Sequence, residues 1–589
     1  MTGGLGASGP GPPSTGGLGA SALGPRLTPT GAEFGVWAPN LASLAVRVGD
    51  RTVPLERGER GTWWGTVEGA RAGDDYLLVL DGGRERPDPR SRFQPHGVHG
   101  PSRLVDPGPP PAPFPPPALA DLVFYELHCG TFTPEGTFDA AARRLGHLAD
   151  LGVTAVEVMP VAAFPGSRGW GYDGVALYAV HAAYGGPAGF RRFVDACHAA
   201  GLAVVLDVVY NHLGPDGNYL AELGPYFTGR TTTPWGAAVN LDGPGSDFVR
   251  GFLLDNAEQW VAVYGVDGLR LDAVHHLHDA SSVHLLEELA TRVHAAKPGA
   301  VVVAESDLHQ PLLVTAYGID AMWADDLHHA VHAALTGETA GYYDGFGDLQ
   351  TLAKVMETGW AFTGQYYPAL DRRHGRDPAG LGGDRFVVCT QNHDQVGNRA
   401  FGERLASLVG PDLDAVASVL LACSPFLPLL FQGQEWGETR PFLFFTDHGP
   451  ELAEAVRRGR RAEFAAFDWA AEVPDPNDPA TFERSKLDWA RAGGPTLDLW
   501  RALLALRRQV PALGNCRRDL TTARADPGRR LVVVERDDPG GSRALAVANL
   551  GEGAQQLPVD PGKLRLRVAT RPRLPNGDLS GASAAVWTT

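Results

Sequence analysis

The chain has 589 residues and a formal net charge of −17, with 44% hydrophobic and 20% charged residues. These proportions are typical of a globular protein, and the length predicts more than one domain because a single hydrophobic core seldom serves so long a chain. The acidic balance argues against nucleic acid as the main partner, since phosphate binding needs a basic surface.

Membrane insertion and secretion are not expected either. No apolar run approaches the roughly 20 residues that cross a bilayer. The first 25 residues are rich in Gly, Pro and Ser and lack the basic start and apolar core of a secretory signal. The five cysteines lie far apart, which is typical of free thiols in a reducing compartment. We therefore predict a cytoplasmic protein.

Composition changes along the chain predict the domain boundaries. Residues 1–30 are poor in groups that could be buried, so we expect a disordered tail. In residues 31–106, short apolar runs alternate with Gly and Asp turns, which predicts a β-sandwich. Residues 107–120 contain "PGPPPAPFPPP", a stiff linker. Residues 511–589 contain further strand patterns and are predicted to form a C-terminal β-domain.

The central segment, residues 121–510, is predicted to be an α/β fold, a parallel (β/α)8 TIM barrel that forms the catalytic domain. Several helical patterns alternate with its strand-like runs, and active sites of such barrels lie at the C-terminal strand ends. The long Gly- and Pro-rich segment 213–247 is expected to be a small insertion that walls the cleft. The eight runs are 122–128, 155–160, 203–212, 268–275, 300–306, 321–326, 385–394 and 427–436.

The reactive residues at these strand ends suggest glycoside hydrolysis. Arg270 and Asp272 point to the same side of a strand, and the guanidinium would keep Asp272 ionised as a nucleophile. Glu305 ends the next strand in the apolar sequence "VVVAES", where burial would raise its pKa as a general acid needs. A retaining mechanism would place these two carboxylates about 5–5.5 Å apart. Asp394 could stabilise positive charge on the sugar ring.

Taken singly, each of these residues also fits a structural role. The Arg270–Asp272 pair alone is equally typical of a structural ion pair, and a strand-end Asp is commonly a turn former. Zinc could use His275, His276 and His278, but adjacent strand residues face opposite sides and no ligand spacing is present. We therefore predict no metal and no cofactor. However, three acids and two histidines at four strand ends seldom share one structural explanation. Their coincidence therefore favours a catalytic site.

Four segments resemble the signature regions of the α-amylase superfamily, glycoside hydrolase family 13, and occur in the same order. They are "DVVYNH" (207–212), "GLRLDAVH" (268–275), "AES" (304–306) and "QNHD" (391–394). The resemblance implies that Asp272 is the nucleophile, Glu305 the acid/base and Asp394 the transition-state stabiliser.

Further segments are similar to one subfamily, the maltooligosyltrehalose trehalohydrolases: "GWGYDGV" (169–175), "WADDLHHA" (323–330) and "FFTDH" (444–448). This resemblance implies cleavage of the α-1,4-glucosidic bond next to the terminal trehalose unit of a maltooligosaccharide substrate, downstream of a maltooligosyltrehalose synthase. An acidic helix start accounts for "WADDLHHA" equally well. The predicted substrate-binding residues are Tyr172, Asp173, His212, Arg270, His275, Asp325, Asp326, His328, His329, His393, Gln395, Asn398 and Arg399.

Two alternative functions remain at this point. Glycogen branching enzymes share the leading β-domain, the barrel and the three acids, and they differ in passing the glycosyl group to another glucan instead of water. A catalytically inactive glucan-binding protein is the second alternative. The retention of all three acids, Asp272, Glu305 and Asp394, argues against this loss of activity.

Overall fold

The computed structural model describes residues 23–464 and 473–589. Residues 1–22 of the predicted tail lie outside the described residues. The tail boundary at residue 30 is wrong, because Gly24–Thr28 is a strand that pairs antiparallel with Gly31–Trp37. The first domain therefore begins before residue 31. Its strands are β1 (Gly24–Thr28), β2 (Gly31–Trp37), β3 (Leu44–Val48), β4 (Arg51–Pro54), β5 (Glu56–Arg57), β6 (Thr62–Glu68), β7 (Asp75–Leu80), β8 (Glu85–Arg86) and β9 (Ser102–Arg103).

These strands form the predicted β-sandwich. One sheet has the order β1-β2-β6-β5, and the other has the order β4-β3-β7-β8 with β9 paired to β7. Alternate residues point into the space between the sheets, so Val46 and Leu78 are fully buried. The rings of Phe34 and Tyr76, one from each sheet, meet edge to face with centroids 5.1 Å apart.

The proline-rich segment between the sandwich and the barrel lies against the barrel wall. Phe114 stacks on His198 with ring centroids 4.1 Å apart. Phe114 also packs against the cluster of buried side chains at the starts of the barrel strands, which includes Phe124 and Ala203. The segment therefore contributes to closing the end of the barrel opposite the candidate site.

The central domain is the predicted closed parallel barrel, and each of its eight strands lies within one of the eight predicted runs. Its order is β10-β11-β14-β17-β18-β19-β22-β23, with β23 pairing back to β10. The strands in chain order through this region are β10 (Phe124–Leu127), β11 (Ala155–Val158), β12 (Ala162–Ala163), β13 (Ala176–Val180), β14 (Ala203–Val208), β15 (Phe227–Thr233), β16 (Gly236–Val239), β17 (Gly268–Leu271), β18 (Val301–Ala304), β19 (Ala321–Trp323), β20 (Tyr366–Tyr367), β21 (Arg372–Arg373), β22 (Phe386–Cys389) and β23 (Leu427–Phe431).

Helices surround the barrel and fill its loops. The apolar faces of the longer ones cover the strands, as in α4, where Phe190, Phe193 and Val194 are buried. The helices are α1 (Cys129–Phe132), α2 (Phe138–Ala142), α3 (Leu145–Leu151), α4 (Gly186–Ala199), α5 (Leu220–Leu223), α6 (Ser246–Gln259), α7 (Leu285–Ala296), α8 (Leu312–Thr315), α9 (Asp326–Thr336), α10 (Leu349–Thr358), α11 (His393–Gly397), α12 (Leu405–Cys423), α13 (Pro450–Phe464), α14 (Pro479–Arg484), α15 (Pro495–Gln509) and α16 (Pro511–Gly514).

The segment between β14 and α6 carries α5 and the β15–β16 hairpin, and the N-terminal domain holds it in place. Trp37 stacks on Phe248 with ring centroids 4.8 Å apart. Arg86 donates to Glu222 at 3.0 Å. These contacts hold α5 and the start of α6, which lie on either side of the hairpin, against the N-terminal domain.

The C-terminal domain is a five-stranded antiparallel sheet with the order β24-β25-β26-β28-β27. Helix α12 packs between this sheet and α15. Within the described part of the chain, α12 is the one helix long and apolar enough to span a membrane, and this packing accounts for its apolar surface. The strands are β24 (Thr521–Asp526), β25 (Leu531–Asp537), β26 (Arg543–Asn549), β27 (Arg565–Ala569) and β28 (Ser583–Thr588).

Candidate active site

The guanidinium of Arg270 lies at the centre of the candidate site and contacts three carboxylates. Its Nη1 donates to Asp207 Oδ2 at 2.9 Å and to Asp272 Oδ1 at 3.1 Å, and its Nη2 donates to Glu305 Oε2 at 2.7 Å. Arg270 is fully buried, and its charged plane lies 4.1 Å from the ring centre of Trp323. A buried cation in this position lowers the pKa of the neighbouring carboxyls and so opposes the effect of their burial.

The strand pairing shows why these groups meet. Asp207 on β14 lies opposite Arg270 on β17 in the parallel ladder. The backbone N–H of Glu305 donates to Leu271 O at 3.0 Å, which places Glu305 beside the end of β17. Ala273 has φ +38°, a left-handed conformation that is strained for alanine, and its N–H donates to Glu305 Oε2 at 2.9 Å.

The charge states of the two central carboxyls differ from the sequence-based expectation. The pKa of Asp272 lies well above its usual value because of burial and the nearby Glu305 charge. The pKa of Glu305 lies below its usual value because Arg270 and the Ala273 N–H outweigh its burial. Two predictions are therefore wrong: the raised pKa of Glu305, and an Asp272 that Arg270 keeps ionised. The sequence "VVVAES" shows the apolar neighbours of Glu305, but it does not show that the second nitrogen of Arg270 donates to the Glu305 carboxylate.

Asp394 lies at the start of α11, close to this pair. Asn398 Nδ2 donates to Asp394 Oδ1 at 3.0 Å, and His393 Nε2 lies 3.6 Å from the same oxygen. Burial raises the pKa of Asp394 while the charge of His393 opposes the rise. A third carboxylate therefore faces the cleft, as expected from its position after a barrel strand.

One wall of the cleft consists of aromatic rings. Tyr172 donates to Asp207 Oδ2 at 2.6 Å and stacks on His393 with centroids 5.1 Å apart. His212 Nε2 lies 3.0 Å from Tyr172 O. Trp235, at the turn of the β15–β16 hairpin, stacks on His212 with centroids 4.3 Å apart and is 49% exposed. Flat exposed rings of this kind provide stacking surfaces for sugars.

The opposite wall contains Asp325 and His329. Asp325 is partly exposed, and burial together with the charges of Glu305 and Asp394 raises its pKa to about 7. Asn392 Nδ2 contacts Asp325 Oδ1 at 3.5 Å. Burial lowers the pKa of His329 to about 4, so this ring is neutral near pH 7. Both side chains remain candidates for substrate contact.

Besides the fully buried Arg270, three residues of the predicted substrate-binding set have internal partners instead. Asp326 contacts His309 Nε2 at 3.1 Å and accepts from Ala361 N at 2.5 Å. His328 Nδ1 lies 2.8 Å from Thr390 O, and its Nε2 contacts the Tyr343 hydroxyl at 3.3 Å. Arg399 forms ion pairs with Glu338 and Glu403. Because these polar atoms are already bonded inside the protein, the prediction of substrate contact does not fit Asp326, His328 and Arg399.

The remaining predicted residues lie at the edge of the site. His275 Nε2 lies 3.4 Å from Asp307 Oδ1, and Asp173 Oδ2 lies 3.5 Å from His448 Nε2. Gln395 is partly exposed and its N–H donates to Asn392 Oδ1 at 2.8 Å. Within residues 23–464 and 473–589, no group of three or more His, Cys, Asp or Glu side chains could hold a metal ion.

Sequence reasoning missed three residues near the site. Glu126 and Glu157 lie inside the barrel, each 1% exposed, and Trp235 lies on the hairpin. A charged residue inside an apolar strand run, as in "FYEL" and "AVEV", was a visible signal for the two glutamates. The sequence did not indicate a role for Trp235, because the position of the inserted hairpin relative to the barrel cannot be predicted from its residues.

Comparison with known proteins agrees with this geometry. A model of the α-amylase catalytic domain matches residues 111–227. A curated malto-oligosyltrehalose trehalohydrolase from Arthrobacter ramosus is 48% identical over 91% of this chain and 99% of its own length.

The chain belongs to the malto-oligosyltrehalose trehalohydrolase family.

Other members of the trehalohydrolase family are almost as similar. The Saccharolobus solfataricus malto-oligosyltrehalose trehalohydrolase is 45% identical over 82% of this chain and 86% of its own length. A crystal structure of a Salmonella typhimurium protein assigned as an alpha amylase superposes with a TM-score of 0.89 at 40% identity, covering 96% of this chain and 99% of that one. These comparisons confirm the resemblance to the trehalohydrolases and the fold class predicted from the sequence.

A 1,4-alpha-glucan branching enzyme from Thiobacillus denitrificans is more distant. It is 31% identical, over 50% of this chain and 47% of its own length. The trehalohydrolase family therefore accounts for much more of the chain than the branching enzymes do.

Proposed function

We propose that the protein is a retaining glycoside hydrolase that cleaves the α-1,4-glucosidic bond next to the terminal trehalose unit of maltooligosyltrehalose and releases trehalose. The observation that carries the proposal is the double contact of Arg270 with Asp272 and Glu305. It joins a nucleophile and a proton donor on neighbouring strands, in a chain of the trehalohydrolase family.

In this proposal Asp272 attacks the anomeric carbon, and Glu305 gives its proton to the oxygen of the departing trehalose. Glu305 then takes a proton from water, which hydrolyses the glycosyl-enzyme, so configuration at the anomeric carbon is retained. Asp394 opposes the positive charge that develops on the sugar ring.

The reaction requires a protonated Glu305 and an ionised Asp272. The pKa directions described above favour the opposite distribution of the proton. Both carboxyls contact the same guanidinium. One proton can therefore be redistributed between them when the substrate displaces water, without being lost to the solvent.

The aromatic wall and Asp325 support recognition of the two halves of the substrate. Trp235 and Tyr172 offer ring faces, whereas Asp325 and His329 offer hydrogen-bonding groups on the other side. Sugars are commonly held between stacking surfaces and hydroxyl-binding groups. We include Asp173, His212, His275, Gln395 and Asn398 as further candidates for sugar contact.

Two further parts of the proposal concern the setting of the reaction. Because the substrate carries a terminal trehalose unit, a maltooligosyltrehalose synthase would act before this enzyme. The five cysteines are free and buried, which supports a cytoplasmic location.

The test is incubation with maltooligosyltrehalose and, separately, with amylose, followed by identification of all products. We expect free trehalose and a shorter maltooligosaccharide from the first substrate. New α-1,6 branches in amylose without trehalose release would favour the branching reaction. Binding of both glucans without any product would favour an inactive glucan-binding protein.

A further inference from the structure

Glu126 lies inside the barrel, on the first strand, directly beneath the candidate site. It is 1% exposed, and its carboxylate has two contacts with the same residue. His393 Nδ1 lies 2.5 Å from Glu126 Oε1, and the backbone N–H of His393 donates to Glu126 Oε2 at 2.9 Å. The two bonds fix both the position and the orientation of the imidazole ring.

The surroundings of His393 leave its ring little freedom. One face stacks on Tyr172 with centroids 5.1 Å apart, and Trp170 meets the ring edge to face at 5.6 Å. The second ring nitrogen, Nε2, lies 3.6 Å from Asp394 Oδ1. An imidazole whose two nitrogens each face a carboxylate directs an N–H toward both of them only as the cation.

Glu126 has a second carboxyl as its neighbour. Glu157 lies opposite Glu126 in the β10–β11 ladder. Among the residues that the structure describes, neither oxygen of Glu157 has a hydrogen-bond partner. Burial and the charge of Glu126 raise the pKa of Glu157. Of the two carboxyls, Glu157 therefore favours its protonated form, and Glu126 is the one whose oxygens contact His393.

The wider charge distribution also favours a cationic ring. Burial alone would lower the pKa of His393, but Glu126 and Asp394 raise it to about 9, against a smaller opposing effect of Arg270. The charged and titratable groups that face the ring from the packed elements are Glu126, His128, Glu157, Asp207, Arg270, Glu305 and Asp394.

We propose that Glu126 is a positioning residue that holds His393 as a cation, with Nε2–H directed toward Asp394 and the sugar hydroxyls beside it. Glu126 touches neither the sugar nor the reacting atoms, and it acts through His393. The cation donates a charge-assisted hydrogen bond to the substrate through Nε2–H and lowers the pKa of Asp394 against the effect of its burial. The effect on the reaction rests on the proposed function, whereas the charge of the ring does not.

The first experiment reads the charge of the ring directly. Full-length protein labelled with 15N-histidine is titrated by NMR, and the His393 signals are identified by their loss in His393→Gln. We expect both ring nitrogens to carry protons at about pH 7.5 in the wild type, with a midpoint near the pKa of about 9. A wild-type ring that is neutral at about pH 7.5 overturns the proposal.

The second experiment uses a matched set of variants at the two neighbouring carboxyls. Glu126→Gln keeps the shape and removes the charge, so the ring should lose one proton at about pH 7.5 and kcat/KM should fall about 10- to 100-fold. Glu126→Asp should restore the charged ring and part of the activity. Glu157→Gln replaces a protonated acid with a neutral amide of the same size, so it should change kcat/KM by less than about twofold.

The outcomes separate this proposal from the proposed function. A ring that stays charged in Glu126→Gln, or an equal loss of activity in Glu157→Gln, overturns the role of Glu126. If the ring behaves as expected but no trehalose is released by the wild type, the proposed function fails and the charged His393–Glu126 pair stands.

Discussion

The indole of Trp235 and the imidazole of His212 are stacked with their planes 12° apart and their centroids separated by 4.3 Å. Trp235 comes from a hairpin and His212 from a segment just beyond the end of a barrel strand. The stack therefore joins the inserted hairpin to the barrel part of the site. Since Trp235 is about half exposed, its ring is available to a sugar.

The first prediction concerns this ring. Trp235→Ala should raise KM for maltooligosyltrehalose about three- to tenfold and change kcat less, because it removes binding surface and no reacting group. Steady-state kinetics measure the split. Trp64→Ala is the matched control, since Trp64 is an exposed indole of the N-terminal domain, 37% accessible. An equal change in the control would assign the effect to general loss of packing.

The second prediction concerns the nucleophile. Asp272→Asn should preserve the site's shape and lower kcat about a thousandfold or more, because an amide is a very weak nucleophile. In the wild type, the reducing end formed first should be the α-anomer, which NMR detects at early times. A β-anomer as first product, or near-normal turnover in the variant, would contradict the role given to Asp272.

The third prediction concerns the proton donor. Glu305→Gln should lose most activity on maltooligosyltrehalose, whose leaving oxygen needs a proton, and retain much more on a glycosyl fluoride. The ratio of kcat/KM for the two substrates measures the difference. Asp272→Asn serves as the control because it should lose both activities alike. An equal loss on the two substrates in Glu305→Gln, as in Asp272→Asn, would exclude Glu305 as the proton donor.

The fourth prediction concerns stability and pH, away from the site. Asp414 on α12 is 3% exposed, and burial raises its pKa to about 7. The folded state therefore holds this proton more tightly than the unfolded chain, so stability falls as pH rises from about 4 to about 7 and stays low above that. Asp414→Asn should stabilise the protein at pH 8 by about 2 to 4 kcal/mol and have little effect at acidic pH.

Denaturant unfolding at about pH 5 and pH 8 checks this expectation. Asp412→Asn is the control, because the Asp412 side chain on the same helix is 52% exposed. A similar gain at pH 8 in both variants would show that the effect comes from net charge and not from burial of Asp414.

The fifth prediction concerns metals. The predicted chemistry uses carboxyl groups and a histidine, so a strong chelator should leave the rate of trehalose release unchanged. The rate is measured after dialysis against the chelator and again after zinc is added. Loss of activity that zinc restores would contradict the prediction.

The barrel was predictable because each of its strands is a short apolar run that ends in polar residues, as in "GLRLDAVH" and "AVVVAES". Parallel strands buried on both faces leave this pattern in the sequence. The closeness of Arg270 and Asp272 followed from strand alternation alone.

The proton distribution of the site could not be predicted in the same way. Glu305 has apolar neighbours in sequence, but its pKa is set by Arg270, which comes from the adjacent strand. The resemblance of "WADDLHHA" to the trehalohydrolases implied substrate contact for Asp326 and His328, yet helix α9 turns both toward internal partners. Such contacts depend on three-dimensional packing that sequence spacing does not encode.

The ring of strands closes where β10 meets β23, so the first and last barrel strands to leave the ribosome must be side by side in the finished protein. Glu126 and His393, whose contact supports the site, are separated by 267 positions. During synthesis, Glu126 on the first strand therefore cannot contact His393 until the later strands of the barrel have been made. A nascent chain released before β23 should therefore contain all three predicted catalytic acids, Asp272, Glu305 and Asp394, and lack the closed barrel that brings them together.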